Sequence, residues 1–283
     1  AKELNTNQIR HRCEKYAEKY VKIQAGQMLR LGTTGNYENP YLTMKPAYEG
    51  ATLEVFADLV EKGVVYRDLK PVHWSIANQT ALADAELEYY DREDTSVFVL
   101  FAVNNTDALP AGLNVPAGET VHVMIWTTTP WTLPANLAVA AAAGEEYGLY
   151  KWTKDGKTTY GILGGALSEK VLGMGKAEDV SCLGTCTGQE LADAEIVYQH
   201  PFIDRTGPIL TADYVTLEDG TGLVHTAPGH GQEDYQTGLK VGLEIYCPVK
   251  GDGTFDETAP EWLQGKDVWS GNGDVVEHLR ESG

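Results

Sequence analysis

At 283 residues the chain can bury a real core, and it stands at the length where single domains begin to divide in two. Its 41 Asp and Glu against 22 Lys and Arg leave a net charge of −19, which argues against a domain that grips nucleic acid by its phosphates, because that binding rests on Lys and Arg displacing counterions. No apolar run approaches the roughly 20 residues of a membrane span and no charged-then-apolar leader opens the chain, so it reads as soluble.

Ile9, Cys13, Tyr16, Tyr20, Gln24, Met28 and Leu31 recur at spacings of three and four, which predicts an amphipathic helix over 7–30 stopped by Gly32. The chain starts at Ala1 in an already helical-looking segment, as a piece cut from something longer would. The prolines and asparagines of NYENPYLTMKP make a loop, and Ala47, Ala51, Phe56, Leu59 and Val60 mark a second helix, opened by Pro46 and closed by Gly63. From about Val72 the texture shifts to strands. Ser96 to Val103 is apolar on both faces, as in a buried strand, and the Pro-, Asn- and Gly-rich stretch 104–119 is a loop. Thr120 to Ile125 alternates, with Val121, Val123 and Ile125 on one face and His122 and Met124 on the other. Asp155-Gly156 and Asp219-Gly220 read as hairpin turns, the second between strands at 213–218 and 221–226. Helices are expected after Gly231 and over 274–281. Many short strands with few helices suggest a barrel-centred domain.

Two runs carry chemistry. The first, WTTTPWTLPAN from Trp126 to Asn136, follows the alternating strand. Pro130 ends the ladder there and pushes Thr129 into an extended conformation. The hydroxyls of Thr127, Thr128 and Thr129 are left at a strand end, although a threonine triplet is also ordinary β-branched filling. The second run, GTGLVHTAPGHGQEDY from Gly220 to Tyr235, delivers His225 on a strand, turns through Pro228, Gly229 and Gly231, and places Asp234 in the first turn of a helix. Glycines let backbone approach a ligand closely, and a helix N-terminus offers free N–H groups. Asp234 also suits the helix dipole, His225 a packed strand and His230 a surface turn. The Gly-His-Gly run is neither a phosphate loop nor a dinucleotide fingerprint. Cys182 and Cys186 are spaced tolerably for a metal, but no second pair of Cys or His completes a four-ligand site. Four scattered cysteines fit a reducing compartment.

Together, WTTTPWTLPAN and GTGLVHTAPGHGQEDY resemble the paired signatures of the editing domain of isoleucyl-tRNA synthetases. NYENPYLTM, VVYRDLKPVHWS and TALADAELEY resemble the adjoining part of the catalytic domain, so the resemblance covers essentially the whole chain. The valyl and leucyl relatives carry a Thr-rich element closer to TTRP, which is absent here. No HIGH-type or KMSKS-type adenylation signature is present. The resemblance implies an α+β fold centred on a β-barrel over 72–283, with residues 1–71 a helical junction from the parent α/β catalytic domain, and a cytoplasmic protein.

It also implies a function. A hydrophobic pocket rejects a ligand smaller by one CH₂ by only about 1–3 kcal/mol, and isoleucine against valine is the standard worked example of that limit. A second pocket that excludes isoleucine by size then hydrolyses valyl-tRNA(Ile), and possibly valyl-adenylate. By the resemblance, Asp234 receives the α-ammonium, His225 lines the side-chain pocket, and Thr127, Thr128, Thr129 and Thr132 hold ester, terminal adenosine and water. Trp126, Trp131, Asn136, Thr226 and His230 belong to the same substrate-binding set. No metal or cofactor serves the editing reaction; ATP and magnesium belong to the missing adenylation site. The partners implied are the tRNA(Ile) 3′ end carrying valine and the remainder of the synthetase. A non-catalytic module that binds an aminoacylated tRNA end or a free amino acid is the alternative.

Overall fold

In a computed structural model, which describes residues 4–282, the chain divides into two compact units, Ala1–Asp68 and Leu69–Gly283. The first holds helices α1 (Thr6–Arg30) and α2 (Pro46–Glu61). Asn5 caps α1 reciprocally with Gln8, satisfying two backbone N–H groups that the first turn leaves open. Pro46 sits where its missing N–H costs nothing, and Gly32 and Gly63 take φ of +78° and +68° just beyond the two helices. Arg10 reaches Glu49 at 2.9 Å and ties the helices together. The predicted helices are present, but their apolar faces are uncovered: Ile9 is 49% exposed and Phe56 52%. Two helices alone cannot bury both stripes.

The second unit is built on strands β1 (Trp74–Ser75), β2 (Thr80–Ala81), β3 (Val97–Val103), β4 (Val121–Thr127), β5 (Ala138–Ala141), β6 (Glu146–Lys154), β7 (Lys157–Gly164), β8 (Glu178–Thr187), β9 (Val197–Gln199), β10 (Thr206–Thr211) and β11 (Leu223–Thr226). Helices α3 (Ser168–Met174), α4 (Gly188–Asp193), α5 (Gln232–Val241) and α6 (Val268–Ser282) complete it. β1 and β2 form a small ribbon. The other nine strands form one mixed sheet in the order β11-β5-β10-β9-β3-β4-β7-β6-β8. Only β10–β5 and β4–β7 pair in parallel.

The alternation of β4 is realised: Val121, Val123 and Ile125 enter the main core with Phe101, Leu149 and Ile162, while Met124 joins a second cluster with Trp152 and Leu172 on the other face. Both faces of the sheet's centre are therefore covered. Gly164 at the end of β7 donates its N–H to the Thr221 carbonyl at 2.7 Å, so the sheet curls until its β11 end meets its middle. The Tyr147 hydroxyl fastens the same corner, accepting from Ala142 N at 2.8 Å and donating to Gly222 O at 2.7 Å. No helix among the described residues is long and apolar enough to cross a membrane.

The turn at Asp155-Gly156 is the expected two-residue hairpin, with φ of +50° and +75°. The one expected at Asp219-Gly220 is not a hairpin. Residues 213–218 form no strand, and β11 pairs instead with β5, His225 lying opposite Val139. Gly220 does take φ of +74°, but a Cβ there would lie 3.0 Å from the Trp126 ring, and Gly222 is also at positive φ. The dipeptide correctly specifies a local turn; packing against β4 and β7 decides where the chain goes next.

Candidate functional site

β4 ends at Thr127, and Pro130 opens a 3₁₀ helix over Pro130–Ala135. The intervening bend is knotted by hydroxyls. Thr127 Oγ1 accepts from the Thr129 N–H at 3.1 Å, the Thr127 and Thr129 hydroxyls are 3.3 Å apart, and those of Thr129 and Thr132 are 3.4 Å apart. Thr132 donates to the Thr129 carbonyl at 2.9 Å. Such bonds offer backbone groups a partner where the ladder stops. The Trp131 N–H donates to Asn272 Oδ1, on α6, at 3.2 Å.

The second loop follows β11. A Cβ on Gly229 would lie 2.2 Å from the Tyr246 carbonyl, so this turn admits glycine alone. Gly231 starts α5, and Asp234 stands in its first turn. Its carboxylate is held at both oxygens: Tyr214 donates its hydroxyl to Oδ1 at 2.8 Å and Ala227 its N–H to Oδ2 at 3.0 Å. His225, 7% exposed, sets Nε2 3.1 Å from Thr132 Oγ1 and so joins the two loops.

Between the loops lies a cavity of about 200 Å³. Thr129, Trp131 and Thr132 line it from one side, and His225, His230 and Asp234 from the other, with Ala227 and Gly231 supplying backbone. The Trp131 and His230 rings meet edge to face at 5.1 Å and form a wall shared with a larger neighbouring cavity of about 770 Å³.

Other residues of the two motifs stand apart from this cavity. Thr127 is buried as a brace for Thr129, and Thr128 is exposed on the bend. Trp126 packs on Gly220, and Thr226 is buried at the end of β11, its carbonyl accepting from Leu137 N at 2.9 Å. Asn136, 1% exposed, is fully engaged in the core, where it accepts from the Tyr198 hydroxyl at 2.6 Å and donates to the Ala138 carbonyl at 2.9 Å. Tyr214 and Asn272 are additions that sequence reading missed. Tyr214 lay in the segment read as a strand, and nothing local marks Asn272 as a partner of Trp131.

Burial governs the charges. It raises the pKa of Asp234, opposed by the hydrogen bonds from Ala227 N and Tyr214. Burial also lowers His225 to about 4, and His230 to about 4 with the nearby His225 adding to the effect. At neutral pH the imidazoles are uncharged, and Asp234 is the acidic group lining the cavity. A confined anion beside hydroxyls and neutral ring nitrogens suits a ligand that brings a cation and a polar group together.

The family described as class I tRNA synthetases (I, L, M and V) matches residues 1–263. The isoleucine–tRNA ligase of Nitratidesulfovibrio vulgaris (strain DSM 19637 / Miyazaki F) is 44% identical over 282 residues, which is 100% of this chain and 29% of the relative. That of Brachyspira hyodysenteriae is 46% identical over 286 residues, covering 100% and 30% respectively. The chain thus spans less than a third of the length of these relatives. Among solved structures, the cytosolic leucyl-tRNA synthetase editing domain of P. knowlesi superposes with a TM-score of 0.51 at 12% identity, covering 67% of this chain and 95% of that one. GlLeuRS-CP1 gives 0.52 at 13%, covering 66% and 96%. At such identity the likeness is one of fold.

Proposed function

This chain belongs to the class I tRNA synthetases (I, L, M and V), and from that premise we propose that it is the editing portion of an isoleucine–tRNA ligase, hydrolysing the ester of valyl-tRNA(Ile). The observation that carries the reading is the Asp234 carboxylate, held at both oxygens in a 200 Å³ cavity whose facing wall is the threonine loop. An ionised carboxylate in a partly dry pocket forms a strong charge-assisted pair with an α-ammonium and fixes its orientation. A cavity of that size takes a small branched side chain, and His225 and His230 narrow it against one more methylene.

Ester cleavage needs a placed water and donors for the developing oxyanion. The Thr129 hydroxyl stands on the cavity wall for these tasks, Thr132 lines the wall beside His225, and Thr127 braces the bend that presents Thr129. No threonine has a strong base beside it, so water attacks directly rather than through an acyl-enzyme. His225, lowered to about 4, is a weak acceptor for that water's proton. The partners on this reading are the tRNA(Ile) 3′ end carrying valine and the rest of the synthetase. Valyl-adenylate is a second substrate, and editing itself draws on no cofactor.

The test is release of valine from valyl-tRNA(Ile) and of isoleucine from isoleucyl-tRNA(Ile) by this chain and by the full-length enzyme. Valyl ester is cleaved and isoleucyl ester spared, and Asp234→Asn slows cleavage by about 10- to 100-fold, the worth of one charged hydrogen bond. Equal rates for wild type and Asp234→Asn would sink the proposal. Binding of the ester without release of valine points to a capture module instead.

A further inference from the structure

The hydrogen bonds around Thr132 fix more than the shape of the bend. Its hydroxyl carries one proton and has three polar neighbours: the Thr129 carbonyl at 2.9 Å, His225 Nε2 at 3.1 Å and the Thr129 hydroxyl at 3.4 Å. A carbonyl can only accept, and it is the shortest of the three, so the Thr132 proton goes there. What remains on Thr132 Oγ1 toward the imidazole is a lone pair. The contact with His225 is a hydrogen bond only if Nε2 carries the ring's proton.

The opposite nitrogen is then bare. His225 Nδ1 is buried and has no hydrogen-bond partner among the described residues. We propose that Thr132 is a positioning residue that locks His225 as the Nε2–H tautomer, so that Nδ1 is kept as a proton acceptor for a donor that the ligand brings. A buried acceptor left unsatisfied destabilises the free protein, and binding a donor removes that cost. In an aminoacyl ester awaiting hydrolysis, the donors at the reacting end are the α-ammonium and the attacking water. The other tautomer would offer an N–H in that place, which opposes the ammonium and can donate to the water but cannot accept its proton.

The consequence for catalysis rests on the editing reading, but the tautomer does not, and the two are tested apart. Two-bond nitrogen–proton spectra of the ¹⁵N-histidine-labelled full chain, with the His225 signals assigned by their loss in His225→Asn, distinguish the Nε2–H form from the Nδ1–H form and from the cation. The expected result is a single Nε2–H tautomer for His225, retained in Thr132→Ser and giving way to a mixture in Thr132→Val. Valyl ester hydrolysis falls about tenfold further in Thr132→Val than in Thr132→Ser, the equivalent of one hydrogen bond. An Nδ1–H pattern in the wild type, or a pattern unchanged in Thr132→Val, overturns the proposal. If neither protein releases valine while the tautomer behaves as stated, the editing reading fails and the positioning role stands.

Discussion

Residues of one motif divide between cavity lining and support, and the division follows from where each side chain finds its partners. Thr129 and Thr132 reach the cavity, whereas Asn136, three positions beyond Leu133 in the same run, has its oxygen on Tyr198 and its amide on Ala138 in the core. Asn136→Ala leaves the buried Tyr198 hydroxyl without its acceptor. It is expected to lower unfolding stability by about 1–3 kcal/mol, measured by urea denaturation, while the preference for valyl over isoleucyl ester in the remaining folded protein is unchanged. A changed preference at full stability would move Asn136 into the pocket. The sequence made Asp234, His225 and the threonines conspicuous because polar residues crowd at strand ends flanked by Pro and Gly. It could not rank them, because burial and partner choice are settled by residues far along the chain.

Elements were legible wherever a local signal matched a local structure. Asp155-Gly156 became a hairpin because the strands on both sides alternate and pair with each other, and Gly231 opened a helix because nothing competes for its turn. Asp219-Gly220 carried the same local signal, but its flanking residues are claimed by β4, β5 and β7, and long-range pairing won. α6 began six residues earlier than the 274–281 expected, and those extra residues include Asn272. That side chain bonds the Trp131 N–H at the head of the 3₁₀ helix. Asn272→Ala is expected to leave the fold intact and to slow ester hydrolysis about three- to tenfold by loosening Trp131, with little change in melting temperature. A full-rate Asn272→Ala enzyme would show that α6 only covers the sheet.

Across the whole molecule, two buried histidines and one half-buried histidine make the fold sensitive to acid. His200, His225 and His230 are each lowered to about 4, chiefly by burial. A folded-state value below the ordinary 6.5 means that unfolded chain takes up protons first as pH falls. The stability these groups contribute is therefore complete above about 6.5 and is lost progressively down to about 4, by up to roughly 3 kcal/mol each. Asp234, raised by burial, acts in the opposite sense, because its folded form gains the proton more readily and favours the native state slightly as pH drops. The urea midpoint should fall steadily from pH 6.5 to 4.5, and His200→Gln should flatten part of that slope. A midpoint that is constant over this range would contradict the lowered values of all three. Charge and length bounded the molecule correctly as an acidic chain able to hold a sizeable core. The uncovered apolar faces of α1 and α2 were not foreseeable, since an amphipathic pattern announces a face to be buried without saying what buries it.

The bond between Trp131 and Asn272 joins residues 141 positions apart, and this separation has a meaning in time as well as space. A ribosome adding about 5–20 residues per second needs on the order of 10 s to travel from one to the other. For nearly all of that interval the nascent chain already carries WTTTPWTLPAN and, in about its last quarter, Asp234 as well, but not the strut that seats Trp131. The pocket is thus among the last parts of the unit to be completed during synthesis, and any shortened version that stops before α6 lacks the clamp however well its sheet has formed.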